Sequence, residues 1–230
     1  MKKMWMLLCA IFLVFSLAGT SIATPVTLDF EGVGDAHQVL DFYGGGTSYL
    51  AAGGTGSGTD HGITFSSGAY GFVDTDDGGT GNFGGEPSPD TAMSFPLGSI
   101  WTMDVSGGFN TQLSLYYANP YGDGTVDIYS GLGGTGSLLG SFALPQITAT
   151  PTPDPNGIYS PFETAFGNFS GTAYSVKFSG DMANTFFDDI SLDLGVASVP
   201  PAGAIPEPST MILFGIGTLG LAGVLRRKFI

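Results

Sequence analysis

Short runs of alternating apolar and polar residues dominate the chain between residues 24 and 195. They are bounded by Gly, Asn, Asp and Pro, and no long segment has the 3.6-residue periodicity of a helix. Apolar residues at every second position are typical of antiparallel strands buried on one face. Roughly ten such runs predict an all-β fold, an antiparallel β-sandwich of the jelly-roll kind. The clearest runs are Leu28 and Phe30, Trp101 to Val105, Leu113 to Tyr117, Val126 and Ile128, Tyr174 to Phe178, and Ile190 to Leu194.

Turn-forming residues predict two hairpins in the second half of this region. The sequence Asn-Pro-Tyr-Gly-Asp-Gly at 119–124 predicts a hairpin between strands at 113–117 and 125–129, because Asp-Gly readily adopts positive φ. The glycines at 131–136 predict a second hairpin, whose outer strand covers 138–144.

Two other segments are predicted to be long loops. Residues 44–58 form a Gly/Ser/Thr tract, and residues 74–90 contain Asp-Asp-Gly-Gly followed by Glu-Pro-Ser-Pro. Long loops in a compact domain either carry function or are flexible insertions, and the sequence leaves both interpretations open. The acids at 74–77 lack the spacing of an EF-hand loop, which favours a solvated turn.

The N-terminus carries an export signal. Lys2 and Lys3 precede an apolar run at 4–18, and Ser21-Ile22-Ala23 supplies small residues where a signal peptidase cuts. We therefore expect a signal helix that engages the export translocon and is cleaved after Ala23. The alternative is a retained membrane helix, but an apolar run of about 15 residues is shorter than the ~20 that span a bilayer.

Charge is unevenly distributed along the chain. The formal net charge is −14, and Lys177 is the one basic residue between residues 24 and 195, where 19 of the 20 acids lie. Such a domain repels phosphate backbones, so nucleic acid is excluded as a partner. Cys9 is the only cysteine and lies in the predicted signal, which excludes a thiol nucleophile in the mature domain.

The C-terminal part combines a Pro-Glu-Pro motif, an uncharged apolar run and a basic cluster. They are Pro206, Glu207 and Pro208, then residues 211–225, then Arg226, Arg227 and Lys228. The apolar run predicts a single transmembrane helix, and the basic cluster should keep its far end on the cytoplasmic side. A helix of this length spans about 22 Å, whereas the hydrocarbon core is about 30 Å thick. The anchor is therefore short, which suits a temporary stay in the membrane.

This tail resembles the PEP-CTERM sorting signal of exported proteins from Gram-negative bacteria that make exopolysaccharide. The resemblance implies that an exosortase cuts near Glu207 after transient anchoring in the inner membrane. It further implies delivery to the cell surface or to an extracellular biofilm matrix. An anchor that is never processed is the alternative, although a plain anchor needs neither the motif nor so short a span. The predicted organisation is a signal peptide at 1–23, a sandwich at 24–195, a linker at 196–205 and a sorting segment at 206–230.

Four acids near the ends of the predicted sandwich are candidate metal ligands. Asp29 and Glu31 lie at the first strand, and Asp188 and Asp189 lie at the last. First and last strands of a sandwich are commonly neighbours, so these carboxylates are expected to converge, and calcium prefers such oxygen ligands. The alternative is that they only occupy solvent-exposed faces of edge strands.

The same two segments resemble the ends of jelly-roll carbohydrate-binding-like domains. They read Leu-Asp-Phe-Glu-Gly at 28–32 and Phe-Asp-Asp-Ile-Ser-Leu at 187–192. The resemblance implies a structural calcium held by Glu31 and by Asp188 or Asp189.

Catalytic chemistry has little support in the sequence, whereas glycan binding has some. His37 and His61 lie in no nucleophile motif, and the many acids do not single out a glycosidase pair. Aromatic rings that stack on sugars are available, although alternation assigns several of them to the core. The candidates are Tyr116, Tyr117, Tyr121, Tyr129, Tyr159 and Tyr174. We predict a non-enzymatic structural or adhesion protein that binds polysaccharide; a secreted polysaccharide-active enzyme is the alternative.

Overall fold

The computed structural model describes residues 25–49, 56–97, 101–150 and 157–194. The predicted signal peptide, linker, Pro-Glu-Pro motif and transmembrane helix lie outside these residues. Within them the chain folds as an antiparallel β-sandwich, which confirms the predicted fold class.

Strands are the main secondary structure of the described residues, and three 3-10 turns connect some of them. The strands are β1 (Val26–Leu28), β2 (His37–Gln38), β3 (Ile63–Phe65), β4 (Tyr70–Val73), β5 (Thr91–Ser94), β6 (Thr102–Ala118), β7 (Gly124–Tyr129), β8 (Leu138–Leu144), β9 (Glu163–Gly180) and β10 (Phe186–Leu194). The 3-10 turns cover Thr75–Asp77, Leu132–Gly134 and Met182–Asn184. In this part of the chain no helix is long and apolar enough to cross a membrane.

The strands are hydrogen-bonded in the order β2-β4-β5-β10-β6-β9-β7-β8, with β1 beside β10 and β3 beside β6. The first and last strands are therefore neighbours, as expected, and Leu28 lies opposite Ile190. This pairing brings Asp29 and Glu31 close to the acids of β10.

The two predicted hairpins have different outcomes. The second is confirmed, because β7 and β8 pair with Val126 opposite Phe142. The first is wrong, because β9 lies between β6 and β7 and pairs with both. On β9, Val176 faces Met103 of β6 and Phe178 faces Val126 of β7. Burying these side chains against two strands outweighs the local turn signal at 119–124.

The long strand β6 unites two runs that the sequence pattern separates, 101–105 and 113–117. The strand has 17 residues and is interrupted rather than ended, because its register with β9 shifts between Asp104 and Phe109. Gly108 has φ 73° at this irregularity, a value that glycine adopts without steric cost. Such a bulge bends a strand without ending it, so one continuous β6 pairs with β3, β9 and β10.

The core is rich in phenylalanine. The Phe178 ring packs against the rings of both Phe95 and Phe187, and the ring centroids are 5.1 Å apart in each pair. Each of these side chains is almost completely buried, which stabilises the fold by about 1.5–3 kcal/mol per ring. This core fixes β10 against β5 and β9.

Candidate carboxylate site and neighbouring sheet groove

Two non-glycine residues in left-handed conformation mark the point where β1 ends beside β10. Phe30 has φ 59° and Asp189 has φ 46°. Such conformations cost about 1–3 kcal/mol each and persist only where neighbouring contacts hold them. The Phe30 N–H donates to the Tyr43 hydroxyl at 2.7 Å, and the Asp189 N–H donates to Asp188 Oδ1 at 2.7 Å.

Ser88, from the predicted loop 74–90, lies at the centre of the acids. Its N–H donates to Asp188 Oδ2 at 2.9 Å. Its hydroxyl oxygen lies 2.8 Å from both carboxyl oxygens of Asp188, 3.0 Å from the Asp29 carbonyl oxygen and 3.5 Å from Glu31 Oε1. A hydroxyl has one hydrogen, so it can satisfy only one of these four oxygens as a donor. The centre of the site is therefore crowded with acceptor oxygens.

Asp188 is the most deeply buried acid of this group. Its side chain has no solvent exposure, and this burial raises its pKa from 3.8 to about 7. The N–H and hydroxyl of Ser88 and the N–H of Asp189 oppose the rise, because they stabilise the carboxylate. A carboxyl with this pKa is partly protonated at neutral pH, which supplies a second hydrogen to the crowded centre.

Glu31 joins the end of β1 to the start of β5. Its Oε1 accepts the N–H groups of Asp90 and Thr91 at 3.0 and 2.9 Å. Its Oε2 accepts the Thr91 hydroxyl at 3.2 Å. These bonds to a charged acceptor hold the loop that carries Ser88 against the first strand.

The four predicted site residues converge only in part. Glu31, Asp188 and the main-chain oxygen of Asp29 surround Ser88. The Asp29 carboxylate instead accepts the Glu31 N–H at 3.2 Å and the Tyr43 hydroxyl at 3.4 Å. Asp189 instead lines a groove on the sheet.

The electrostatics of the site follow from burial and crowding of acids. Burial first, and the charge of Asp29 second, raise the pKa of the Tyr43 hydroxyl, which stays protonated and can donate to Asp29. Burial and then Asp29 also raise the pKa of Asp189. The site is thus short of positive charge.

The oxygen atoms around Ser88 fit calcium in ligand type. Two carboxylates, a carbonyl oxygen and a hydroxyl are hard oxygen ligands of the type that calcium prefers. However, in the described ranges no group of three or more His, Cys, Asp and Glu side chains is arranged to hold a metal ion. Calcium at this site remains a prediction.

The groove that receives Asp189 has a volume of about 280 Å³ and lies on the outer face of neighbouring strands. Its wall includes the aromatic residues Tyr116 and Phe166, which are 36% and 60% exposed. Among the tyrosines considered from the sequence, Tyr117 is buried and Tyr121 is exposed outside this groove.

Sequence reasoning missed Ser88 and Phe166. No local pattern marks Ser88, because its partners Glu31 and Asp188 lie 57 and 100 residues away. Phe166 does have a local signal, because Thr164 and Asn168, two positions away on either side, place it on a polar face of its strand.

Comparison with solved structures returns several β proteins of low similarity. A β-1,3-glucan-binding CBM6 from Bacillus halodurans is 18% identical, with a TM-score of 0.33, covering 56% of this chain and 86% of that one. The K1 cleaved adhesin domain of Lys-gingipain from Porphyromonas gingivalis W83 is 14% identical, with a TM-score of 0.34, and the match covers 75% of this chain and 99% of that one. The isomalto-dextranase of Arthrobacter globiformis T6, complexed with panose, is 14% identical, with a TM-score of 0.34, and the match covers 75% of this chain and 33% of that one.

Comparison at the sequence level gives a match at the C-terminus. No curated protein matches the chain. Residues 204–228 match the family described as the PEP-CTERM protein-sorting motif, so the chain carries this sorting motif after its β-sandwich.

Proposed function

We propose that this protein is exported, sorted by an exosortase and retained at the cell surface or in the extracellular matrix as a non-enzymatic, glycan-binding adhesion module. The observation that carries the proposal is the sorting motif at 204–228, which follows the β-sandwich along the chain. The proposed partners are the translocon, signal peptidase, exosortase, the inner membrane during transit, and a polysaccharide. The proposed host is a Gram-negative bacterium.

The environment of the acids supports a binding role over an enzymatic one. Asp188 has the pKa of a general acid, about 7, but it is completely buried and bonded to Ser88. A general acid must come within hydrogen-bond reach of the substrate, which this carboxyl does not do. The remaining alternative is a polysaccharide-active enzyme that uses other acids.

Binding and hydrolysis are distinguished by one experiment on the exported protein. We expect retention on at least one polysaccharide from a panel of soluble and insoluble glycans, and no reducing ends released from that panel. Affinity electrophoresis measures retention and a reducing-sugar assay measures cleavage. Release of reducing ends that a single Asp or Glu substitution abolishes would replace the proposal by the enzymatic alternative.

A structural calcium is part of the same proposal. It would lie among Glu31, Asp188 and the Asp29 carbonyl oxygen, with the Asp29 or Asp189 carboxylate as a further ligand after a local rearrangement of Ser88. The support is the oxygen crowding around the Ser88 hydroxyl, which a divalent cation relieves more completely than the hydroxyl hydrogen and a carboxyl proton do.

We expect millimolar calcium to raise the melting temperature of the protein by about 5–10 °C relative to chelator. The reason is mass action, since a ligand at about 100 times its Kd stabilises the folded state by about 2.7 kcal/mol. The shift should be lost in Glu31→Gln and kept in Glu163→Gln, a matched change at an exposed glutamate of β9. Identical melting curves with calcium and with chelator would refute the site.

A further inference from the structure

We infer that the groove on the outer face of β1, β10, β6 and the first half of β9 binds an uncharged polysaccharide chain, which stacks on Tyr116 and Phe166 and is hydrogen-bonded by Asp189. This inference rests on the proposed function and assigns its glycan-binding site. It also gives the chemical class of the ligand.

Strand register places the groove residues in one continuous row. Thr27 of β1 lies opposite Ser191 of β10, Ser191 opposite Ser114 of β6, and Ser114 opposite Phe166 of β9. The Thr27 hydroxyl donates to the Ser191 hydroxyl at 3.2 Å, so these side chains share a face. Directly opposed residues lie about 4.5–5.5 Å apart, so the row forms one surface.

The neighbouring row of paired residues adds a second aromatic ring, that of Tyr116. Tyr116 of β6 lies opposite Thr164 of β9, and both line the groove beside Phe166. Since Phe166 and Tyr116 lie two positions out of register on paired strands, they are diagonal neighbours about 7–8 Å apart. Two exposed rings beside a row of small hydroxyls offer apolar faces and hydrogen-bonding groups together. A sugar ring presents the same combination, with C–H faces and a rim of hydroxyl groups.

A bulge in β10 delivers Asp189 to this surface. Between the pairs Asp188–Tyr116 and Ser191–Ser114, β10 has two residues where β6 has only Leu115. A bulge of this kind re-aims a side chain, and Asp189 takes up the left-handed conformation there. Ser88 binds the preceding residue, Asp188, and so holds the strand at the start of the bulge. Local strain that neighbouring contacts support is the arrangement expected of a residue that must face a ligand.

The charge of the groove defines the class of polysaccharide. None of its lining residues is basic, and Asp189 contributes an acid. A chain of uronates or sulfated sugars would be repelled and would find no cationic partner here. An apolar peptide would leave the Ser114 hydroxyl and the Ser191 hydroxyl hydrogen without partners from the ligand once water is excluded. Hydroxyl groups of an uncharged sugar satisfy them.

The shape of the groove favours the interior of a chain over its end. A smaller cavity of about 40 Å³ shares Gln112, Ser114 and Ser191 with the main groove and continues to Asp193. The main groove, at about 280 Å³, is close to the lower limit of ~300 Å³ for ligand sites, which fits a short stretch of sugars. The shared residues join the two cavities into one surface, which extends beyond the main groove.

The test is affinity electrophoresis of the exported protein in gels that contain a neutral glucan, a galactomannan, a xylan or alginate. We expect retardation by at least one uncharged polysaccharide and none by alginate. Tyr116→Ala and Phe166→Ala should each weaken binding about tenfold, because each removes a stacking ring. Asp189→Asn should weaken it by a similar factor, since the carboxylate is the stronger acceptor. Phe166→Tyr keeps the ring and should keep the binding.

Tyr121→Ala is the matched control, because Tyr121 is 56% exposed and is not among the groove residues. Melting curves of all variants confirm folding, which substitutions at exposed rings should leave intact. If the wild type is retarded and the three groove variants match it, the groove assignment is overturned while the proposed function stands. If alginate is the ligand, the inferred class is wrong. If no polysaccharide retards the wild type, the glycan-binding part of the proposed function fails together with this inference.

Discussion

Replacing Glu31 with alanine is expected to lower the free energy of unfolding by about 3 kcal/mol. The Glu31 carboxylate accepts the N–H groups of Asp90 and Thr91 and the Thr91 hydroxyl. Thr91 is almost completely buried, so its N–H would lose its partner without gaining water. An unsatisfied buried donor costs about 1–3 kcal/mol, and here at least two donors lose a charged acceptor.

Chemical denaturation in the presence of chelator measures this effect without any contribution from a bound cation. Glu163→Ala is the control, since Glu163 is exposed on β9 and its loss should change stability by no more than about 0.5 kcal/mol. Glu31→Gln should fall between the two, because the amide oxygen still accepts but carries no charge. Equal stability of Glu31→Ala and Glu163→Ala would show that the loop carrying Ser88 is not held by Glu31.

The fold class could be predicted from the sequence because alternation is a local property. In β7, for example, Val126 and Ile128 are buried and the residues between them are partly exposed, as the pattern predicts. The pairing of strands is not local. The turn residues at 119–124 predict that β6 and β7 pair, yet β9 separates them. A turn signal reports only that the chain changes direction, whereas the partner of a strand depends on which apolar faces fit together.

The same distinction between local and non-local features applies to the residues of the candidate site. Glu31 and Asp188 could be brought together from the sequence, because the first and last strands of a sandwich are commonly neighbours and here they pair. Ser88 could not, since it arrives from a loop whose path depends on the whole fold. The different environments of Asp188, which is buried against Ser88, and of Asp189, which lines the groove, also depend on the fold, because the bulge between β10 and β6 lies at these residues.

The carboxylate site and the groove meet at one structural feature, the bulge of β10. Asp188 is buried and bound by Ser88, while the next residue, Asp189, lines the groove. Contacts that stabilise Asp188 therefore also position the neighbouring Asp189 carboxylate. A cation bound near Ser88 would act on the groove through this bulge, which links the proposed calcium to the proposed glycan.

Replacing Glu207 with alanine is expected to abolish sorting in a host that has an exosortase. The matched motif at 204–228 includes Glu207, the one charged residue between the two prolines Pro206 and Pro208. A neutral methyl group removes both the charge and the hydrogen-bonding oxygens that an enzyme can recognise there. We expect the full-length chain to accumulate in the inner-membrane fraction, with at least a tenfold loss from the surface or medium. Cell fractionation with immunoblotting, and mass spectrometry of the mature C-terminus, measure both quantities.

Two controls separate sorting from simple anchoring. Thr210→Ala changes a residue between the Pro-Glu-Pro motif and the apolar run and should leave release unchanged. Wild-type protein in a host without exosortase should behave as Glu207→Ala does, because the apolar run at 211–225 and its basic cluster then act only as an anchor. Unchanged release of Glu207→Ala would mean that the tail leaves the membrane by another route. The folded domain would still reach the outside in that case, so its glycan binding can be judged independently of its sorting.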